Sequence, residues 1–156
     1  MFRTGETISY PLHGVGGIER VETENGKLYY VILIPKESIR IRIPKERAES
    51  MGVRVLWKGE ELKVLLQEAG ERELCCSESR NLRCRENLER LKTGRPDHAA
   101  EVVKLLTKRA EQKNLSVAEH RLLSMARQVI LGEMRFVYKI NGKKAEELLA
   151  KWMKIG

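Results

Sequence analysis

The sequence predicts an α+β protein in which a small, strongly bent β-barrel over residues 1–58 precedes an all-α domain over residues 59–156. Three observations carry this. Up to Trp57 the apolar residues favour the period of two of half-buried strands; from Gly59 onward they recur every three or four residues, as in amphipathic helices. The net charge shifts at the same point: residues 1–58 carry +3, residues 59–79 carry −4, residues 80–95 carry +4 and residues 96–156 carry +5. Five short strands in the first 58 residues suit a small barrel better than a wide sheet.

In chain order, Glu6 to Tyr10 is a short strand running into Pro11. Val15 to Glu22 follows the turn His13-Gly14. Asn25-Gly26 between two β-rich runs signals a tight hairpin, with Lys27 to Ile34 as its second arm. Ser38 to Ile43 alternates strictly, with Ile39, Ile41 and Ile43 on one face and Arg40 and Arg42 on the other. Pro44 ends it, and Val53 to Trp57 supplies a last strand. Glu60 to Ala69 is a short helix. Glu71 to Ser79 has no period and reads as a linker, so residues 59–79 form a short helix and an acidic connector at the start of the helical domain. In the helix Arg80 to Leu91, Cys84, Leu88 and Leu91 share an apolar face, and Thr93-Gly94 closes it. Pro96 opens the next helix, with Ala99, Val103, Leu106 and Ala110 as its buried stripe. Ser116 and Glu119 form a capping box ahead of a long helix that buries Leu122, Ala126, Val129 and Ile130. Asn141 caps a last helix carrying Leu148, Leu149 and Trp152.

Composition narrows the function. The chain has 156 residues, 30 Lys and Arg against 22 Asp and Glu, and a net charge of +8. Its sequence pI is 9.5 and its mean hydropathy −0.42. This describes a soluble, basic protein and suggests a polyanion partner, most often nucleic acid, although many basic proteins bind none. The longest uncharged apolar run, Tyr29 to Pro35, is too short to span a bilayer, and the N-terminus lacks a secretory signal, so no membrane partner is expected. Three cysteines, two of them adjacent, make no disulfide framework and fit a reducing cytosol.

Catalytic chemistry finds little support. His13 lies in a turn, and His98 and His120 lie in first turns of helices, where a neighbouring carboxylate is ordinary. Cys75, Cys76 and Cys84 lack the spacing of a zinc site, so neither metal nor cofactor is expected. Gly14-Val15-Gly16-Gly17 is followed by a strand, not a helix, so it reads as a bend and not a phosphate loop. Two features remain. Arg40 and Arg42 project from one face of a strand, either as a solvated face or as a protein-docking edge. The helix with Arg80, Arg83, Arg85, Arg90 and Lys92 places Arg80, Arg83, Asn87 and Arg90 on one polar face, either solvated or set against DNA phosphates.

These residues also carry a resemblance. Phe2-Arg3 with Gly5-Glu6, then Tyr10-Pro-Leu-His-Gly-Val-Gly16, Ile41-Arg-Ile-Pro44 and Ala48-Glu-Ser-Met-Gly-Val-Arg54, resemble the opening of the CarD/CdnL family of bacterial transcription regulators. The helical half continues it through Asn87-Leu-Glu-Arg-Leu-Lys-Thr-Gly94, Ala100-Glu-Val-Val103, Lys113-Asn-Leu-Ser116 with Glu119, and Ala126-Arg-Gln-Val-Ile-Leu-Gly-Glu133. The resemblance implies a Tudor/SH3-like N-terminal domain similar to the polymerase-interacting domain of the transcription-repair coupling factor. That domain would bind the RNA polymerase β subunit through a strand edge. The helical domain would contact promoter DNA at the upstream edge of the transcription bubble. No enzymatic activity is implied.

Carried over residue by residue, Arg40 and Arg42 fall in the polymerase-binding region. Arg83, Arg85 and Arg121 fall at basic, DNA-facing positions, and Arg80 is a fourth DNA-binding candidate. The family usually places a Trp wedge seven residues before the Asn matched by Asn87; here that residue is Arg80. An Arg can enter a narrow minor groove, but it does not offer the rigid plane that props a base step. Cys84 stands where an aromatic residue is common, and Glu24 where a basic residue can assist docking. The expected protein is therefore a cytoplasmic, nucleoid-associated regulator of open-complex stability, either a monomer or a dimer swapped through the connector. A stand-alone nucleic-acid binder and a protein-interaction module are the alternative readings.

Overall fold

The computed structural model describes residues 1–155. Its first part is a five-stranded antiparallel sheet of β1 (Thr7–Tyr10), β2 (Gly14–Glu24), β3 (Lys27–Ile34), β4 (Ile39–Pro44) and β5 (Arg54–Val55), in spatial order β4-β3-β2-β1-β5. The hairpin between β2 and β3 turns at Asn25 and Gly26, with φ of 51° and 78°. Positive φ at both residues is what a two-residue turn between right-twisted strands requires. A bulge between Ile18 and Arg20 interrupts the β2–β3 register and bends the strand. Gly16 permits the tight wrap: a Cβ there would lie 2.5 Å from Ile34 Cδ1 and 2.8 Å from the Leu33 carbonyl oxygen. The sheet's core holds Ile8, Ile18, Tyr30, Ile32, Ile34 and Ile43, with Phe2, Ala48 and Val53 completing it. Among the described residues no ladder joins β4 to β5, so the curled sheet keeps two edges.

The last strand is shorter than its apolar run suggests. Val53 bonds through its N–H to the Ala48 carbonyl at 3.1 Å and fills the sheet core. Trp57 turns away to pack against the helical core. Only Arg54 and Val55 pair with β1.

Five helices follow: α1 (Gly59–Glu71), α2 (Arg80–Lys92), α3 (Pro96–Gln112), α4 (Val117–Tyr138) and α5 (Gly142–Met153). Their starts are written locally. Pro96 is the first residue of α3. The full capping box of Ser116 and Glu119 opens α4, and the Asn141 side chain accepts the Lys144 N–H at 2.8 Å. α3 is the central helix, packed against α1, α2 and α4, while α5 closes against α1 and α4. Leu62, Leu66, Val103, Leu106, Ala126, Ile130, Met134 and Leu149 form the heart of this second core.

Two stripes differ from the sequence expectation. α3 buries Ala99, Ala100, Val102, Val103, Leu105 and Leu106, because neighbours cover it on several sides, whereas Ala110 near its free end is exposed. α2 turns Arg83, Asn87 and Leu91 inward and leaves Cys84 and Leu88 half-buried. Buried ion pairing and hydrogen bonding, invisible to a hydropathy pattern, set that rotation.

Candidate functional site

The first candidate surface is the outer face of the sheet at the β4 edge. Arg40 and Arg42 pair in register with Leu33 and Val31 of β3, and both side chains reach across β3 to the carboxylates of β2. Arg40 Nε donates to Glu19 Oε2 at 2.7 Å and its Nη2 to Oε1 at 3.2 Å. Arg42 pairs with Glu24, lies 3.9 Å from Glu22, and stacks its guanidinium 3.9 Å from the centre of the Tyr29 ring. The Arg40 hydrogen bond holds the Glu19 carboxyl below its ordinary pKa of 4.5. These pairs are exposed and stabilise the fold little. They do order the arginines beside a strand whose outer backbone groups are free to accept another strand.

The second candidate is the end of the helical domain where α2 and α4 begin. Ser79 caps α2 by accepting the Leu82 N–H at 3.4 Å, and Ser116 caps α4 by accepting the Glu119 N–H at 3.1 Å. Arg83 joins these two starts. Its Nε donates to Glu119 Oε2 at 3.4 Å, and its Nη1 to the Ser77 carbonyl at 3.2 Å and to the Glu78 carbonyl. Arg109 Nε lies 3.6 Å from the same carboxylate. Burial raises the Glu119 pKa, but the bonds from Arg83 and Ser116 outweigh it, and the carboxyl stays below its ordinary 4.5.

This corrects the sequence reading of Arg83. It is 3% exposed and fastens the connector to α2 and α4, so it is not a group free to meet a phosphate. Asn87, on the same supposed outer face, is also buried. Arg80, Arg85 and Arg121 do lie on the surface. Because Arg83 draws the first turns of α2 and α4 together, Arg80 and Arg121 share one end of the domain. Arg85 borders a groove between α2 and α3 with Arg90 and His98, but also with Glu86, Glu89 and Glu101.

Among the described residues the three histidines do not come together. His13 pairs with Glu37 at 2.6 Å in an exposed setting, and His98 meets the Thr93 hydroxyl at 2.7 Å. Among the described residues no three His, Cys, Asp or Glu side chains gather as metal ligands, and no helix is long and apolar enough to cross a membrane.

A third feature escaped the sequence reading. Glu133 of α4 is wholly buried. It accepts from Arg54 Nη1 at 2.9 Å and Nη2 at 2.8 Å, and from the Trp57 N–H at 3.0 Å. Arg54 Nε donates in addition to the Gly94 carbonyl at 2.8 Å. One fork thus clasps β5, the turn after α2 and the second half of α4. The signal was present: Glu133 is seven residues after Ala126, a carboxylate in phase with the buried stripe of an amphipathic helix.

Comparison with known proteins decides the relationship. The family model described as "CarD, C-terminal domain" matches residues 62–150, and that described as "CarD-like/TRCF RID domain" matches residues 2–55. The chain belongs to the CarD family. It is also 29% identical over 150 residues to "Putative transcription factor YdeB" of Bacillus subtilis (strain 168), covering 92% of this chain and 97% of that protein. CarD-family proteins are non-enzymatic transcription factors, and the RID domain implies an RNA polymerase-interacting regulator. Within this CarD chain the sheet coincides with the RID match, the helices with the C-terminal match, and the Glu133 clasp lies across the junction.

Proposed function

We propose that this protein docks on the β subunit of RNA polymerase through the β4 edge and touches upstream promoter DNA with the basic end of its helical domain. In doing so it modulates the stability of the open promoter complex. The observation that carries this reading is the succession of both CarD modules in one chain, with the Arg54–Glu133 fork holding one against the other. A regulator that bridges two fixed surfaces needs its two contact faces held at a set separation.

On the polymerase side Arg40 and Arg42 are the docking residues. Each leaves or shares its local carboxylate when β4 accepts a partner strand, so docking weakens as salt rises. On the DNA side Arg80, Arg85 and Arg121 contact phosphates, and Arg80 stands where a wedge would stand in relatives. Arg80 favours a narrow minor groove without unstacking a step. The polymerase tether raises the effective DNA concentration, so weak intrinsic DNA binding suffices. Such a protein works in the cytoplasm, at the nucleoid.

The test is biolayer interferometry against a purified fragment of the β subunit. Wild type is expected to bind, and Arg42→Glu to lose at least tenfold in affinity. Strong DNA binding with a steep salt slope and no β-subunit binding would instead favour a stand-alone nucleic-acid binder.

A further inference from the structure

The junction of the two domains forms a cleft of about 620 Å³ between the sheet and the second half of α4. Val15 and Gly17 line its sheet side, Lys36 stands at one rim, and Gly132, Arg135 and Phe136 of α4 form the other wall. Neither of the two proposed interfaces uses it.

Three properties distinguish this cleft. Phe136 is 54% exposed, the one aromatic ring so open among the described residues. Gly132 leaves the wall empty: a Cβ there would meet no atom within 4 Å. The lining also holds Lys36 and Arg135 but no carboxylate. Neither cation has an ion-pair partner among the described residues, whereas Arg20, Arg40, Arg42, Arg72, Arg95 and Arg127 each have one. The acids next in sequence to Lys36 and Thr7 have other partners, Glu37 with His13 at 2.6 Å and Glu6 with the Arg3 N–H at 3.2 Å.

An exposed aromatic in a concave, mostly apolar slot, with unpaired cations of one sign at its rims, is the pattern of an anchor pocket with a charged rim. We propose that this cleft captures an extended acidic segment of a partner protein, seating one apolar side chain against Phe136 and setting flanking Asp or Glu carboxylates on Lys36 and Arg135. Two cations astride one slot do not make the continuous basic track that a nucleic-acid strand needs. The pocket also favours a side chain over a base, because it offers one ring and no second stacking platform. The site does not rest on docking at β4 or on DNA contact.

The test is selection of a phage-displayed random dodecapeptide library on the immobilised full-length protein. An enriched peptide is then measured by fluorescence anisotropy. Phe136→Ala, and Lys36→Glu with Arg135→Glu, change exposed side chains, and unchanged thermal melting verifies their folding. Enriched sequences are expected to share an apolar residue flanked by Asp or Glu. Both variants are expected to weaken the peptide at least tenfold, while Arg42→Glu and Arg121→Glu leave it unchanged. Absence of enrichment, enriched peptides without acidic residues, or equal binding to Phe136→Ala would overturn the proposal. So would a single-stranded 20-nucleotide DNA that binds wild type and loses tenfold on Phe136→Ala while no peptide does.

Discussion

Replacing Glu133 by leucine tests the clasp between the domains. The carboxylate is fully buried and accepts three hydrogen bonds, two from Arg54 and one from the Trp57 N–H. Its removal leaves a guanidinium that is 19% exposed at the side chain without its counter-charge. Breaking a buried pair from one side costs about 3–5 kcal/mol, and the orphaned N–H belongs to the same loss and is not added. Arg54 keeps its bonds to the Gly94 and Val55 carbonyls, which places the cost toward the lower end. At a urea slope of about 2 kcal/mol/M the midpoint falls by roughly 1.5–2 M. Arg54→Met alone strands the buried carboxylate and costs a similar amount. The double variant Arg54→Met/Glu133→Leu removes both charges and is expected to cost well under the sum of the two singles, with a coupling of about 3 kcal/mol. Urea unfolding of the four proteins, followed by far-ultraviolet circular dichroism and Trp fluorescence, measures this cycle. A Glu133→Leu protein within about 1 kcal/mol of wild type, or strictly additive singles, would refute the reasoning.

Four further outcomes follow from other parts of the molecule. Gly70→Ala would place a Cβ 2.6 Å from Met153 Cα and 2.8 Å from its carbonyl oxygen; forcing α1 from α5 is expected to cost about 1–3 kcal/mol and lower the melting temperature. Burial raises the Asp97 carboxyl, but Arg95, His98 and Arg72 outweigh it and hold it below its ordinary 3.8. Its contribution is therefore complete above that value and is lost as pH falls through the lowered one, so the stability gap between wild type and Asp97→Asn should narrow from pH 5 toward pH 2.5. Arg121→Ala should reduce the salt slope of DNA binding by about one while leaving stability unchanged; Arg83→Met should instead destabilise the protein, since it leaves Glu119 buried with only Arg109 nearby.

Most of the fold was legible because local rules and packing agree. Asn25-Gly26, Pro96, the Ser116 capping box and Asn141 set their elements wherever the rest of the chain goes. The strand end at Trp57 and the face of α2 were not legible for one shared reason: a buried polar partner from a distant element decides them. Trp57 gives its N–H to Glu133, 76 residues along the chain, and Arg83 turns inward to meet Glu119, 36 residues along. A hydropathy pattern counts Arg83 as surface because it sees neither partner. The same blindness hid the clasp, although the phase of Glu133 with Ala126 and Met134 marked it as inward. Residue type and period singled out Arg40, Arg42, Arg80 and Arg85, the family resemblance added Arg121, and all five lie on the surface. The carboxylates that hold Arg40 and Arg42 came only with the β2–β3 and β3–β4 registers.

The measurement that bears most directly on the bridging account is the lifetime of the open complex on a promoter with purified bacterial RNA polymerase. It compares no addition, wild type, Arg42→Glu and Arg85→Ala/Arg121→Ala. The account predicts that wild type changes the lifetime, that Arg42→Glu abolishes the change, and that the double variant reduces it while still binding polymerase. An unchanged lifetime with wild type, or a full effect from Arg42→Glu, would contradict it.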